Sequence, residues 1–316
     1  MDDLGDLRAV SFAASGKERV TTSATLVLEP FDECLVSWNA RHSKSTGFGV
    51  EISVARAANA EFSPWMWIGE WNVSERPAEL VPSFEDARID VDTFTSKTPW
   101  RALRLRVRAR ANGSAPLDFA LDRLTCMPTS RSARGAFGPP AAAVPRIAIP
   151  FRSQRAEDAA LASRICSPTS LAMVLDAHGV HATTAEVARR AYDPFHDLYG
   201  NWNRAIQAAY SFGVPGRLER IANWRRAEEL VRGGQPLILS IAAKAGELRG
   251  APYAATQGHL LVLCGFDEKG DALVLDPAAS DAQTGQATYA REDLETVWLK
   301  RGGTTYVLGH PRDEAR

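Results

Sequence analysis

The chain has 316 residues, 45% of them hydrophobic, and a formal net charge of −1, so it can bury one large core or two medium ones, and two domains are expected. Lys plus Arg nearly balance Asp plus Glu both before and after residue 140, which leaves no basic half to hold nucleic acid. No apolar stretch is long enough to span a membrane, and Met1-Asp2-Asp3-Leu4-Gly5-Asp6 is acidic where a secretory leader would be basic, so a cytoplasmic chain is expected, or an extracytoplasmic one if a leader has been removed.

Residues 1–128 read as strands. Ala24–Leu28, Leu35–Trp38, Gly49–Val54 and Leu103–Arg110 are short, apolar or alternating, and separated by turn residues. In Leu103-Arg104-Leu105-Arg106-Val107-Arg108-Ala109-Arg110 the period is two, so one face is apolar and the other an arginine ladder, expected as a charged solvent face. The pattern predicts an all-β sandwich of jelly-roll type. Five of the eight tryptophans fall here: Trp38, Trp65, Trp67, Trp71 and Trp100. Burial accounts for them most simply, while exposed rings would suit a module binding carbohydrate or protein. Residues 129–145 are rich in Gly, Pro, Ala and Ser without periodicity, which is linker composition, and 146–316 form the second domain.

That domain opens on an apolar run, Ile147-Ala148-Ile149-Pro150-Phe151, followed by Arg152-Ser153-Gln154. Cys166 then begins Cys166-Ser167-Pro168-Thr169-Ser170-Leu171-Ala172-Met173-Val174-Leu175, where Leu171, Val174 and Leu175 predict a helix over 167–178, with Pro168 tolerated in its first turn and Gly179 as its stop. A thiol at a helix N-terminus meets unpaired N–H groups and a partial positive charge, which favour the nucleophilic thiolate. Helices follow near 184–192, opened by a Thr183/Glu186 capping box, near 203–212, stopped by Gly213, and over 224–232, ended by Gly233-Gly234. After a strand at 236–241, Gly258-His259-Leu260-Leu261-Val262-Leu263-Cys264-Gly265-Phe266 reads as a buried strand, Asp267-Glu268-Lys269-Gly270 as a turn, and Ala272–Leu275 as a second strand ended by Asp276-Pro277. Paired as an antiparallel hairpin, these strands bring His259 and Asp276 to the same open end. A helix near 290–299 and a strand at 304–308 complete an α+β order.

A cysteine catalyst needs a base for its proton and a third group to orient the base. Cys166, His259 and Asp276 supply one of each, and Gln154 offers a side-chain amide for a developing oxyanion. With them, the Pro-Phe-x-x-Gln entry, the Cys-x-Pro-Thr-Ser-Leu helix, Tyr199-Gly200-Asn201-Trp202 and Asp276-Pro277-Ala278 resemble the papain-like cysteine peptidases of the bacteriocin-processing, double-glycine-leader type, in particular stand-alone relatives without a transporter. The resemblance covers about residues 146–309. It implies a papain-like fold of helices packed on an antiparallel sheet and a peptide or protein substrate. Cys166 would be the nucleophile, His259 general base and then acid, Asp276 its orienter, and Gln154 the oxyanion donor together with the Cys166 N–H. Ser167, Tyr199, Asn201, Trp202 and Gly258 would contact substrate. Relatives usually place Gly after the cysteine, where Ser167 stands here.

Acyl transfer or amidohydrolysis would use the same groups, and a non-enzymatic binding module is the remaining alternative. Cys34, Cys126 and Cys264 sit in strand-like apolar contexts and read as inert. With no Cys-x-x-Cys and no Cys/His cluster, neither a metal nor another cofactor is expected, and four scattered cysteines do not suggest a disulfide framework. His178 and His181 read as helix-end residues, His196 and His310 as surface positions.

Overall fold

The computed structural model describes residues 11–15, 18–76, 80–133, 137–139 and 142–309; the acidic start, part of the expected linker and His310 lie outside the described residues. The chain splits into two compact units, Met1–Ala133 and Arg134–Arg316.

The first unit is a set of antiparallel strands: β1 (Ser11–Ser15), β2 (Glu18–Thr22), β3 (Leu26–His42), β4 (Thr46–Ala55), β5 (Met66–Trp71), β6 (Ser83–Phe84), β7 (Ala87–Asp90), β8 (Thr93–Ala111) and β9 (Phe119–Thr129). The C-terminal half of β8 runs between β2 and β4, and its N-terminal half between β3 and β7, so one long strand serves two groups of neighbours. Ala24–Leu28 and Leu35–Trp38, expected as separate strands, fall largely within β3, which carries them across two register breaks around Pro30 and Asp32. Proline lacks the N–H for a ladder bond, which produces an irregularity here rather than a turn. Leu103, Leu105, Val107 and Ala109 of β8 are buried as the alternation predicts, and Trp38 meets Phe48 edge-on at 6.1 Å in the core.

The arginine ladder is not a free charged surface. Arg106 donates twice to buried Glu51 at 2.7 Å, Arg108 donates to Glu18 at 2.9 Å, and Arg104 and Arg106 stack on Phe62 and Trp65 at 3.9 and 4.3 Å. Guanidinium is planar and can pair at its edge while stacking on its face, so Arg106 and Arg108 are met by carboxylates, Arg104 rests on aromatic faces, and Arg110 alone of the four is exposed. Trp38, Trp71 and Trp100 are buried, Trp65 and Trp67 half-buried. Burial and stacking account for the tryptophans of this unit.

In the second unit the helices are α1 (Ala159–Ala162), α2 (Cys166–Ala177), α3 (Thr184–Ala191), α4 (Trp202–Ser211), α5 (Trp224–Arg232), α6 (Ala282–Gly285) and α7 (Arg291–Val297). The strands are β10 (Gly216–Arg220), β11 (Leu237–Ala243), β12 (Thr256–Phe266), β13 (Ala272–Leu275), β14 (Gln286–Tyr289) and β15 (Thr304–Leu308), in the sheet order β10-β15-β11-β12-β13-β14, all antiparallel. The expected helices appear within a residue or two of their predicted bounds, and Thr183 and Glu186 form the capping box. Strand β10 is not foreseen because its alternating residues, Arg217 and Glu219, are charged; both are buried and pair with each other at 2.8 Å. From Val144 the expected linker is already part of the sheet: Val144 bridges Phe266, and the Ile147 N–H donates to the Cys264 carbonyl at 2.7 Å.

A bulge in the β12–β13 hairpin decides what its end presents. Val262 faces Leu275 and Leu263 faces Val274, but nearer the turn Gly265 faces Leu273 and Phe266 faces Ala272, leaving Cys264 as an extra residue. Opposed residues share a face and side chains alternate along a strand. One step past Leu275, Asp276 therefore falls opposite Leu261, on the face that His259 also occupies. Arg146 covers the bulge, donating to the Val274 carbonyl at 2.9 Å and to the Cys264 thiol at 3.2 Å.

Because the Thr183 hydroxyl accepts from the Glu186 N–H and Glu186 reaches back to Thr183, Thr183→Ala is expected to cost about 1 kcal/mol and lower Tm by about 2–4 °C without changing catalytic rate, as read by calorimetry and a turnover assay.

Candidate active site

Strand β13 stops at Leu275, so β12 loses its neighbour beyond Val262 on that side. Helix α2 takes the vacated place. The Ser170 hydroxyl donates to the Leu260 carbonyl at 3.0 Å, and the Leu260 N–H donates to the Cys166 thiol. Cys166 is the first residue of α2, whose N-cap, Ile165, offers no side-chain acceptor, and the Ser167 N–H also points at the sulfur. The early end of one strand thus lets a helix end and a histidine meet.

His259 is buried and hydrogen-bonded on both sides. Its Nε2 donates to Asp276 Oδ1 at 2.7 Å, and its other nitrogen bonds the Cys166 thiol. Asp276 is fully buried and takes four donors: His259 and the Ala278 N–H (2.9 Å) on Oδ1, the Tyr253 hydroxyl (3.1 Å) and the Tyr289 hydroxyl (2.7 Å) on Oδ2. The tyrosines carry no sequence signal of this kind; one lies in the loop before β12, the other ends β14.

The electrostatics of the three groups agree. Burial favours the neutral thiol of Cys166, but the His259 hydrogen bond and charge and the two N–H groups outweigh it and bring its pKa below the ordinary thiol value. Burial favours neutral imidazole at His259, and Asp276 and Cys166 outweigh it, raising the pKa to about 10. Burial favours the acid at Asp276, and His259, the Ala278 N–H and Tyr289 hold it as carboxylate. Thiolate, imidazolium and carboxylate form one mutually supported charge state.

Cys166 opens into a cavity of about 450 Å³. Tyr199, Gly200, Trp202 and Gly258 line it, as do Arg164 and Leu260. The Tyr199 segment is held by buried Asp193, which accepts from the His196 ring at 2.8 Å and from Asn201 at 2.8 Å and bridges to Leu198. Two residues expected to contact substrate are placed elsewhere. Asn201 is the buried N-cap of α4, its side chain taken by the Arg204 N–H and Asp193. The Ser167 side chain is buried against the Tyr306 hydroxyl at 3.2 Å, leaving its backbone N–H to serve the thiol. His196, expected at the surface, instead helps fix this loop.

Gln154 is pinned by its backbone to the Asp276 loop: its N–H donates to the Pro277 carbonyl at 2.9 Å, and the Ser153 hydroxyl donates to the Ala279 carbonyl at 2.5 Å. Its amide Nε2 donates to the Ala162 carbonyl at 2.7 Å, so one of its two amide protons is engaged there. Among the described residues no cluster of His, Cys, Asp and Glu is arranged to hold a metal.

Residues 146–306 match the model of the Peptidase_C39 like family, and residues 17–128 match that of the Peptidase C39 N-terminal domain. The chain belongs to the C39-like peptidase family. It is a cysteine peptidase. Solved structures similar to this C39-like peptidase include a protein described as a C39-like peptidase from Bacillus anthracis (18% identity, 54% of this chain and 98% of that one, TM-score 0.42). Two others are a double glycine motif protease from an AMS/PCAT transporter in complex with the leader peptide (20%, 53% and 98%, 0.36) and the peptidase domain of Streptococcus ComA, a bi-functional ABC transporter (16%, 46% and 92%, 0.34). No curated protein matches the chain. Among the described residues of this peptidase no helix is long and apolar enough to cross a membrane.

The depressed Cys166 pKa predicts that its thiolate persists to lower pH than that of an ordinary thiol. At about pH 6, iodoacetamide followed by peptide mapping should label Cys166 first, whereas Cys34 and Cys126 are buried and burial pushes Cys264 up to about 11 despite Arg146. His259→Ala should move the onset of labelling to higher pH, since it removes the charge that favours the thiolate. First labelling at Cys264, or none before denaturation, would count against this assignment.

Proposed function

We propose that this cysteine peptidase hydrolyses peptide bonds through Cys166, His259 and Asp276 by way of a thioester, acting on extended peptides with small residues before the cut. The observation that carries the reading is the continuous hydrogen-bonded line from thiol to imidazole to carboxylate, with the sulfur at the wall of a cavity. The Cys166 thiolate attacks the carbonyl carbon, and the carbonyl electron pair moves onto oxygen. As the tetrahedral oxyanion collapses, the C–N bond breaks and the His259 imidazolium gives its proton to the leaving amine. Water then attacks the thioester while neutral His259 takes its proton; the C–S bond breaks, and thiolate, imidazolium and a carboxylic acid remain. The Asp276 carboxylate keeps the imidazole in the tautomer that directs its other nitrogen to sulfur.

The oxyanion is proposed to take hydrogen bonds from the Cys166 N–H and from the Gln154 amide proton left over by Ala162. Small residues in the substrate follow from the family resemblance, and the bare backbone at Gly200 and Gly258 on the cavity wall suits close approach of an extended chain.

His259→Ala should abolish turnover and Asp276→Asn should lower kcat by about 10⁴-fold. Gln154→Ala should lower kcat by about 10²–10³-fold with little change in KM, and near-normal activity there would place the donor elsewhere. A peptide library read by mass spectrometry with and without an added primary amine tests the chemistry: hydrolysis gives new carboxyl termini in both cases, and products carrying the amine would instead show acyl transfer.

A further inference from the structure

Asp276 has more support than the orientation of a histidine requires. A carboxylate with no exposure to solvent loses its hydration, and its charge must be met by donors within the protein. His259 and the Ala278 N–H occupy Oδ1; two phenols from separate segments converge on Oδ2. Tyr289 is buried in the core below the sheet, where a hydroxyl without a partner would be costly, so its bond to Asp276 satisfies both groups. Tyr253 is half-buried, and its ring stands edge-on to the His259 imidazole at 4.9 Å as its hydroxyl reaches past to the carboxylate.

From this convergence we infer that Tyr253 and Tyr289 are positioning residues of the peptidase, a pair of phenols that fixes the Asp276 carboxylate in the plane of the imidazole and keeps water from the His259–Asp276 bond. The inference rests on the triad reading above. With Oδ2 held from two directions, the carboxylate cannot rotate to exchange its oxygens, and Oδ1 remains committed to Nε2. The ring of Tyr253 adds a second constraint by limiting the swing of the imidazole. The titratable groups facing Asp276 are His259 and the two phenols, with Cys166 beyond the imidazole. Removing a phenol donor leaves the carboxylate easier to protonate, and a protonated Asp276 no longer supports imidazolium and thiolate. Burial raises both phenols above the usual tyrosine range, so they remain donors throughout the working pH range.

Tyr253→Phe and Tyr289→Phe, singly and together, keep the rings and delete the hydroxyls. The rate of Cys166 alkylation by iodoacetamide is followed against pH, and kcat and KM are measured on the best peptide from the library. Each single variant should lower kcat about tenfold with KM unchanged, the double variant more, and the acid limb of the alkylation profile should move to higher pH. An unchanged acid limb with unchanged kcat in the double variant overturns the inference. So does a uniform loss of activity at every pH together with a lower Tm, which assigns the phenols to packing alone. Asp276→Asn, measured alongside, separates the two readings. Full activity in that variant removes the triad and this inference with it, whereas an inactive Asp276→Asn beside a double Phe variant that behaves as the parent removes only the tyrosines.

Discussion

Three ionisable groups stand in line from the protein interior to a cavity wall, Asp276 and His259 buried and Cys166 half-buried, and the surrounding architecture supplies their partners. Cys166, His259 and Asp276 would each be neutral if buried alone. Placed together, each is held toward its charged form: the imidazolium stands between thiol and carboxylate, the carboxylate is met by backbone and phenol donors, and the sulfur by the N–H groups of Ser167 and Leu260. The early end of β13 at Leu275 makes this possible. A strand continued beside β12 would take up the Leu260 polar groups in a ladder and leave α2 nowhere to dock. An unfinished sheet edge, normally a liability, is closed here by helix α2.

Legibility followed the range of the interactions. Periodicity and caps reported local structure well: α2, α3, α4 and α5 announce themselves by apolar spacing, by Thr183 with Glu186, and by Gly179 and Gly213 in the left-handed region after their helices. The meeting of Cys166, His259 and Asp276 was readable because helix start and strand ends are local features, and one hairpin joins two of them. The side-chain surroundings of Asn201 and Ser167 were not legible from position alone. A short polar residue beside a catalytic motif can equally be a helix cap or a buried hydroxyl, and the choice depends on Asp193 and Tyr306, distant in sequence. Tyr253 and Tyr289 were invisible for the same reason. Strand β10 escaped because a buried ion pair imitates a polar surface pattern.

The first unit shows the same ambiguity in charged residues. Alternating arginine on β8 correctly marks a strand with one apolar face, but the sequence cannot say whether the other face meets solvent or its own glutamates and aromatics. Long-range pairing settles that, through Glu51 on a neighbouring strand and Trp65 in the segment before the next. Pro30 is a comparable case: it breaks the ladder locally while β3 continues through it.

The bulge at Cys264 gives the hairpin an arithmetic of its own. A strand of period two sorts its residues by parity, and His259 and Asp276 fall in the same class because Cys264 is bulged out of the ladder rather than paired within it. Drawn into the ladder opposite Val274, Cys264 would place Asp276 opposite Val262 and turn the imidazole and carboxylate to opposite sides of the sheet. Adding or removing residues in the turn Asp267–Gly270 would leave both strands, and hence the parity, untouched. Chain length in this hairpin is therefore free at the turn and even at the bulge, since without Cys264 the pairs Leu263–Val274 and Gly265–Leu273 would simply become neighbours, whereas a slip of one residue between Val262 and Leu275 would part His259 from Asp276 with no side chain changed.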